Sequence, residues 1–137
     1  MEAARREKEA QVVSEIAASA ELATGDLEGL VRRMTEAAAC APAVERVGVW
    51  LAEDQGSRLV CLDNFIGSKN EHTSGAVLLE PEFGNEFEAL KSAKYIDAHD
   101  ALADPRTSGY VEGYLIPNNI TSMLDSIIEQ PAGRCFV

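Results

Sequence analysis

Two histidines, three cysteines and a minority of basic residues are the scarce chemistry of this 137-residue chain. Cys40, Cys61 and Cys135 are odd in number and widely spaced, and no CxxC pair occurs. That spacing suits neither a disulfide framework nor a structural zinc site, so reduced thiols in a cytosolic protein are expected. Lys and Arg number 12 against 23 Asp and Glu, for a net charge of −11. A field of that sign repels phosphate backbones and anionic lipid surfaces, which argues against nucleic-acid and membrane partners. No apolar run approaches the roughly 20 residues of a membrane span. The opening MEAARREKEA is charged and helix-forming, without the apolar segment of a signal peptide. A phosphate loop is missing too: Gly109 and Gly113 flank YVE outside the strand-to-loop context such motifs need.

What is present describes one folded domain. The length suits a single core, and an apolar content of 46% is that of a globular protein. Residues 3–23 hold no Gly or Pro, and Val13, Ile16, Ala17 and Ala20 follow the spacing of a one-striped helix. A thin, Ala-rich stripe packs closely against a partner, either a second copy of the helix or the rest of the chain. Gly25 ends this helix, and Asp26 caps a second one carrying Leu27, Leu30, Val31 and Met34 and stopping before Pro42. RVGVWLAED switches to period two, and EDQGS joins it to RLVCLDNFIG as a hairpin. SKNEHTSG reads as a polar loop, AVLLE as a short strand, and PEFGNEFEALKSAK as a helix opened by Pro81. YIDAHD is extended, a turn and short helix lead to Pro117, ITSMLDSIIEQ is a strand, and RCFV begins another. The predicted class is therefore α+β, an antiparallel sheet flanked by helices. The predicted division is an amphipathic helix over 1–23 and a domain over 24–137.

The densest chemistry lies in DAHDALADPRTSGYVEGYL. Asp97 and His99 are two apart on an extended segment, so they share a face. Two side chains are too few for a metal site, and none is assigned. Pro105 fixes its own φ and holds Asp104 extended, which aims Arg106 in a defined direction. Its guanidinium either pins the turn through Asp97, Asp100 or Asp104 or meets an anionic ligand, and the pinning role is preferred. No nucleophile motif surrounds any cysteine, so Cys40 and Cys61 are read as small buried hydrophobes and no catalytic residue is assigned.

RVGVWLAEDQGSRLVCLDNF, YIDAHDALADPRTSGYVEGYL and ITSMLDSIIE, in this order and spacing, resemble a GAF domain of the kind at the N-terminal side of bacterial signalling proteins such as histidine kinases, diguanylate cyclases and chemotaxis-type receptors. The resemblance runs from about Leu22 to the C-terminus. It implies a non-catalytic cytoplasmic sensor with a small-molecule pocket between the sheet and its crossing segments. It also implies a long N-terminal signalling helix through which such domains dimerise, and an effector of kinase or cyclase type in a longer parent chain. The residues offered for the pocket are Trp50, Phe65, Tyr95, Asp97, His99, Arg106, Tyr110, Tyr114 and Met123, which serve equally well as core. The ligand and any cofactor are unknown. The chain departs from relatives in lacking the Asn-Lys-x-Phe-Asp-Glu motif of cyclic-nucleotide binders, the bilin cysteine of phytochromes and the cysteine pattern of free methionine sulfoxide reductases. It reads DSII where many relatives have Asp-Ala-Pro-Ile, and its last strand is expected to be cut short at Val137. A ligand-free homodimerisation module is the alternative, and a thiol-dependent enzyme ranks below both.

Overall fold

A computed structural model describes residues 2–17, 23–40, 44–80, 83–129 and 135–137. Among the described residues the chain opens with the helices α1 (Glu2–Ala17) and α2 (Leu27–Cys40). Between them Gly25 takes a φ of 75°, a conformation glycine adopts without strain. Asp26 caps α2 as expected: its Oδ1 accepts from the Gly29 N–H at 3.1 Å. Val31, Thr35 and Ala39 form the buried stripe of α2, four residues apart. The stripe expected from Val13, Ile16, Ala17 and Ala20 lies outside what is described.

The strands follow. β1 (Arg46–Glu53) and β2 (Arg58–Ile66) are the two long strands. The turn joining them places Asp54, Gln55 and Gly56 all at positive φ. β3 (Glu71–Thr73) and β4 (Val77–Leu79) both pair antiparallel with β2, at opposite ends of it. β3 corrects the polar loop expected over SKNEHTSG. It is short and polar, so it carries no alternation to read, and its pairing with β2 forms the strand. The helix α3 (Gly84–Ala93) begins three residues after Pro81, which lies outside the described residues, and ends at Lys94 in the left-handed conformation. Its buried face is Glu86, Phe87 and Leu90.

β5 (Tyr95–Ala98) and β6 (Met123–Ser126) form a separate two-stranded sheet. Between them run a 3₁₀ turn (Pro105–Tyr110) and a π-helical turn (Val111–Leu115) in which the Ile116 N–H donates to the Val111 carbonyl at 3.0 Å. The single strand expected over ITSMLDSIIEQ is broken at Ile127, whose N–H turns aside to the Lys94 carbonyl at 3.0 Å. Among the described residues β7 (Ile128–Glu129) and β8 (Cys135–Phe136) complete a six-stranded antiparallel sheet, in the order β3-β2-β1-β8-β7 with β4 beside β2.

The chain divides into two compact units, Met1–Trp50 with Cys61–Ala76 and Leu51–Val60 with Val77–Val137, and β1 and β2 run through both. In the second, Leu90, Ile96, Ala98, Ala101, Tyr110 and Leu115 make the core, with Phe83 and Met123 packed against it. Burying each large apolar side chain contributes about 1.5–3 kcal/mol, which ties α3, β5 and the Pro105–Leu115 segment into one body.

Candidate functional site

The second unit carries the turn that stood out in the sequence. Asp104 is extended, with φ −73° and ψ 125°, and its Oδ1 accepts from the Arg106 backbone N–H at 2.9 Å. The Arg106 guanidinium then folds back on the same carboxylate, with Nε donating to Oδ1 at 3.0 Å and Nη2 to Oδ2 at 2.7 Å. Nη1 reaches Asp97 Oδ1 and Nη2 the Asp97 carbonyl, both at 3.3 Å. Of the two roles open to Arg106, the geometry is that of pinning the turn to β5. The guanidinium hydrogen bonds hold the Asp104 carboxyl down to about 2. Inside the turn, Thr107 Oγ1 donates to the Ala101 carbonyl at 2.7 Å and is fully buried.

A cleft of about 290 Å³ opens where this turn faces the start of α3. Phe83, Gly84, Asn85, Glu86, Arg106, Ser108, Gly109 and Tyr110 line it. Asn85 ties the two walls together, its Nδ2 donating to the Pro105 carbonyl at 3.0 Å and to Ser108 Oγ at 2.9 Å. Phe83 and Tyr110 stack with ring centroids 4.9 Å apart, and Tyr114 meets Tyr110 edge-on at 6.2 Å. Glu86 is 4% exposed, and its Oε2 has no hydrogen-bond partner among the described residues. Burial, together with the hydrogen bond and charge of Asp125, raises its carboxyl far above the usual range, so it holds a proton at neutral pH. A broader depression of about 580 Å³ lies alongside, lined by Glu80, Gly84, Asn85, Glu88, Lys91 and Ser92.

The nine residues offered from sequence are not gathered in one place. Arg106 and Tyr110 line the cleft, Tyr114 packs on Tyr110, and Asp97 is bound to Arg106. Met123 pairs with Ala98 across β5 and β6 and packs on the core. Tyr95 is 51% exposed, and His99 is exposed in the turn that follows β5. Trp50 and Phe65 belong to the first unit. Trp50 is half-buried beside Gly48, where a Cβ would stand 3.0 Å from its Nε1. The polar residues missed in the cleft are Asn85, Glu86 and Ser108, beside Phe83, Gly84 and Gly109. Glu86 was detectable, because it shares the apolar face that spacing assigns to Phe87 and Leu90.

The first unit holds a second polar cluster. Asp63 is buried on β2 in alternation with Leu59, Cys61 and Phe65. Its Oδ2 accepts from Thr35 Oγ1 at 2.6 Å and lies 2.7 Å from His72 Nδ1. His72 Nε2 lies 2.6 Å from Glu36 Oε1, and its ring packs on Phe65 at a centroid distance of 4.8 Å. The sequence signal was again a polar residue in an apolar period: Asp63 on a strand, Thr35 on a helix stripe. Burial and the Asp63 charge push the Cys61 thiol up to about 11, away from nucleophile chemistry. Cys61 is buried as expected, whereas Cys40 is exposed, at the last position of α2. This corrects its reading as a core residue. Among the described residues no group of three or more His, Cys, Asp or Glu is arranged to hold a metal ion, and no helix is long and apolar enough to cross a membrane.

Among solved structures the chain is similar to a GAF domain from an Acinetobacter phosphoenolpyruvate-protein phosphotransferase, with a TM-score of 0.64 at 16% identity over 97% of this chain and 75% of that one. The fold is GAF-like. A second similar structure comes from a methyl-accepting chemotaxis protein, residues 122 to 287, with a TM-score of 0.63 at 18% identity over 95% of this chain and 80% of that one. No family model and no curated protein matches the sequence. The GAF-like fold therefore stands on backbone geometry, and what it does here must be argued from the chain's own residues.

Proposed function

We propose that this chain is a non-catalytic regulatory domain of signal transduction that binds a small molecule in the cleft between α3 and the Pro105–Tyr110 turn. The observation that carries the reading is the cleft itself. It brings a buried acid with an unpaired oxygen, an amide, a hydroxyl and a stacked aromatic pair around a space of metabolite size. The Arg106 charge is already matched by Asp97 and Asp104, so the ligand is held by hydrogen bonds and ring contact more than by that cation. The names of the two similar structures, from chemotaxis and phosphotransferase proteins, support a signalling context. The raised thiol of Cys61 supports a non-catalytic role, and three free cysteines fit a reducing cytoplasm. In this reading the bound state passes to a kinase- or cyclase-type effector through α1. Binding favours one of two poses only if it is tighter in that pose.

A thermal-shift screen of a metabolite library tests the proposal: at least one compound raises the melting temperature, and Asn85→Ala abolishes the rise. A folded protein whose melting temperature no compound moves removes the sensory reading. The second reading, a homodimerisation module, is favoured by the exposed Ala3, Ala4 and Ala10 of α1. Sedimentation of a strict monomer at every concentration removes that one.

A further inference from the structure

We propose that His72 is a pH-operated clasp, its imidazolium holding α2 to β2 and β3 and its deprotonation releasing the α2 side of that link. The inference uses no residue of the cleft and stands apart from the proposed ligand. Its basis is geometric. Each ring nitrogen lies within hydrogen-bond distance of a carboxylate oxygen, Nδ1 2.7 Å from Asp63 and Nε2 2.6 Å from Glu36. A neutral imidazole has one N–H, so it satisfies one carboxylate and turns a lone pair toward the other. The imidazolium donates to both.

The two acceptors are unequal, and that decides which contact goes first. The Asp63 side chain is 3% exposed and is already fixed by the Thr35 hydroxyl, whereas the Glu36 side chain is 52% exposed. Breaking the inner contact leaves a buried carboxylate short of donors, while breaking the outer one returns a carboxylate to water. On losing a proton the ring therefore keeps Nδ1–H on Asp63 and lets Glu36 go. The groups acting on the ring are Glu36 and Arg32 from α2 and Asp63 from β2, while Glu71, next to it on β3, alternates to the other face. Burial and the Arg32 charge oppose the proton, the two carboxylates favour it, and the balance lies above the ordinary histidine value. The sign follows from linkage. A proton held more tightly in the folded state adds stability that is full below the unfolded value and fades as pH rises through the folded one. In this range a small pH change alters how firmly α2 is held to the strands.

The test is an NMR titration of the two histidine rings in the full chain. α2 amide protection is followed over the same range and corrected for the intrinsic pH dependence of exchange. The expected result is a His72 midpoint above about 6.5, with α2 protection falling several-fold in step with it. Glu36→Gln lowers the midpoint, and His72→Gln removes the step in protection. A midpoint at or below the ordinary value overturns the clasp, as does protection that ignores the titration. Should His72→Gln not fold, Glu36→Gln decides alone, since its substitution lies on a half-exposed side chain: an unmoved midpoint overturns the proposal.

Discussion

Two polar clusters, one in each compact unit, use similar side chains in opposite surroundings. In the Arg106 cluster the cation meets Asp104 and Asp97 near the surface, where water screens each pair and holding long side chains in place costs entropy. In the Asp63 cluster a carboxylate is nearly excluded from water, its partner Thr35 is fully buried, and the His72 side chain is mostly so. There a missing partner leaves a charge with nowhere to go. The first cluster is conspicuous in sequence and does mechanical work on a turn. The second is spread over three elements and is the one whose loss the fold would feel. Density of charged residues along a chain thus says little about where charge is energetically expensive.

The largest difference should appear on deleting the two central acids. Asp63→Ala removes the acceptor of Thr35 and His72 and is expected to cost about 3–5 kcal/mol in urea unfolding. Equal midpoints for Asp63→Ala and Asp97→Ala would erase the contrast between the clusters. Glu86 sharpens it from the second unit, because it too is buried but holds its proton. Its folded proton affinity is raised, so the wild type loses stability as pH climbs above the ordinary carboxylate range. Glu86→Gln keeps a donor without the titration, so the variant should be the more stable protein at about pH 8 and show a flatter stability–pH curve. The smallest effect belongs to Asp104→Asn. The Asp104 carboxyl is depressed, so its contribution is present above the unfolded value near 3.8 and fades as pH falls toward about 2. Melting curves of wild type and variant should differ slightly at neutral pH, converge in acid and draw together with added salt.

Much of the fold was legible because its signals are local. Asp26 capping α2, the β1–β2 strand pair joined at EDQGS and the Phe87–Leu90 face of α3 all follow from neighbours within a turn or a strand, although β1 does not show the alternating burial expected of its period-two pattern. β3 was not legible, since a three-residue polar strand exists only through its pairing with β2. The break at Ile127 was hidden for the same reason: its N–H is claimed by Lys94, 33 residues away in the chain. The candidate sites divide likewise. Pro105 aims Arg106 by φ restriction alone, and the sequence anticipated its pinning role. Asn85 and Ser108 gave no signal, because a hydroxyl and an amide become cleft walls only when α3 and the 3₁₀ turn meet.

By itself, then, the sequence determined the α+β class, the placing of most helices and strands, and the turn built on Pro105, all of which rest on short-range sterics and hydrophobic period. Tertiary structure alone decided that His72 sits between Asp63 and Glu36, and that Glu86 lines a cleft with Tyr110. A side chain's chemistry depends on burial and on partners far along the chain, and only the folded packing supplies both.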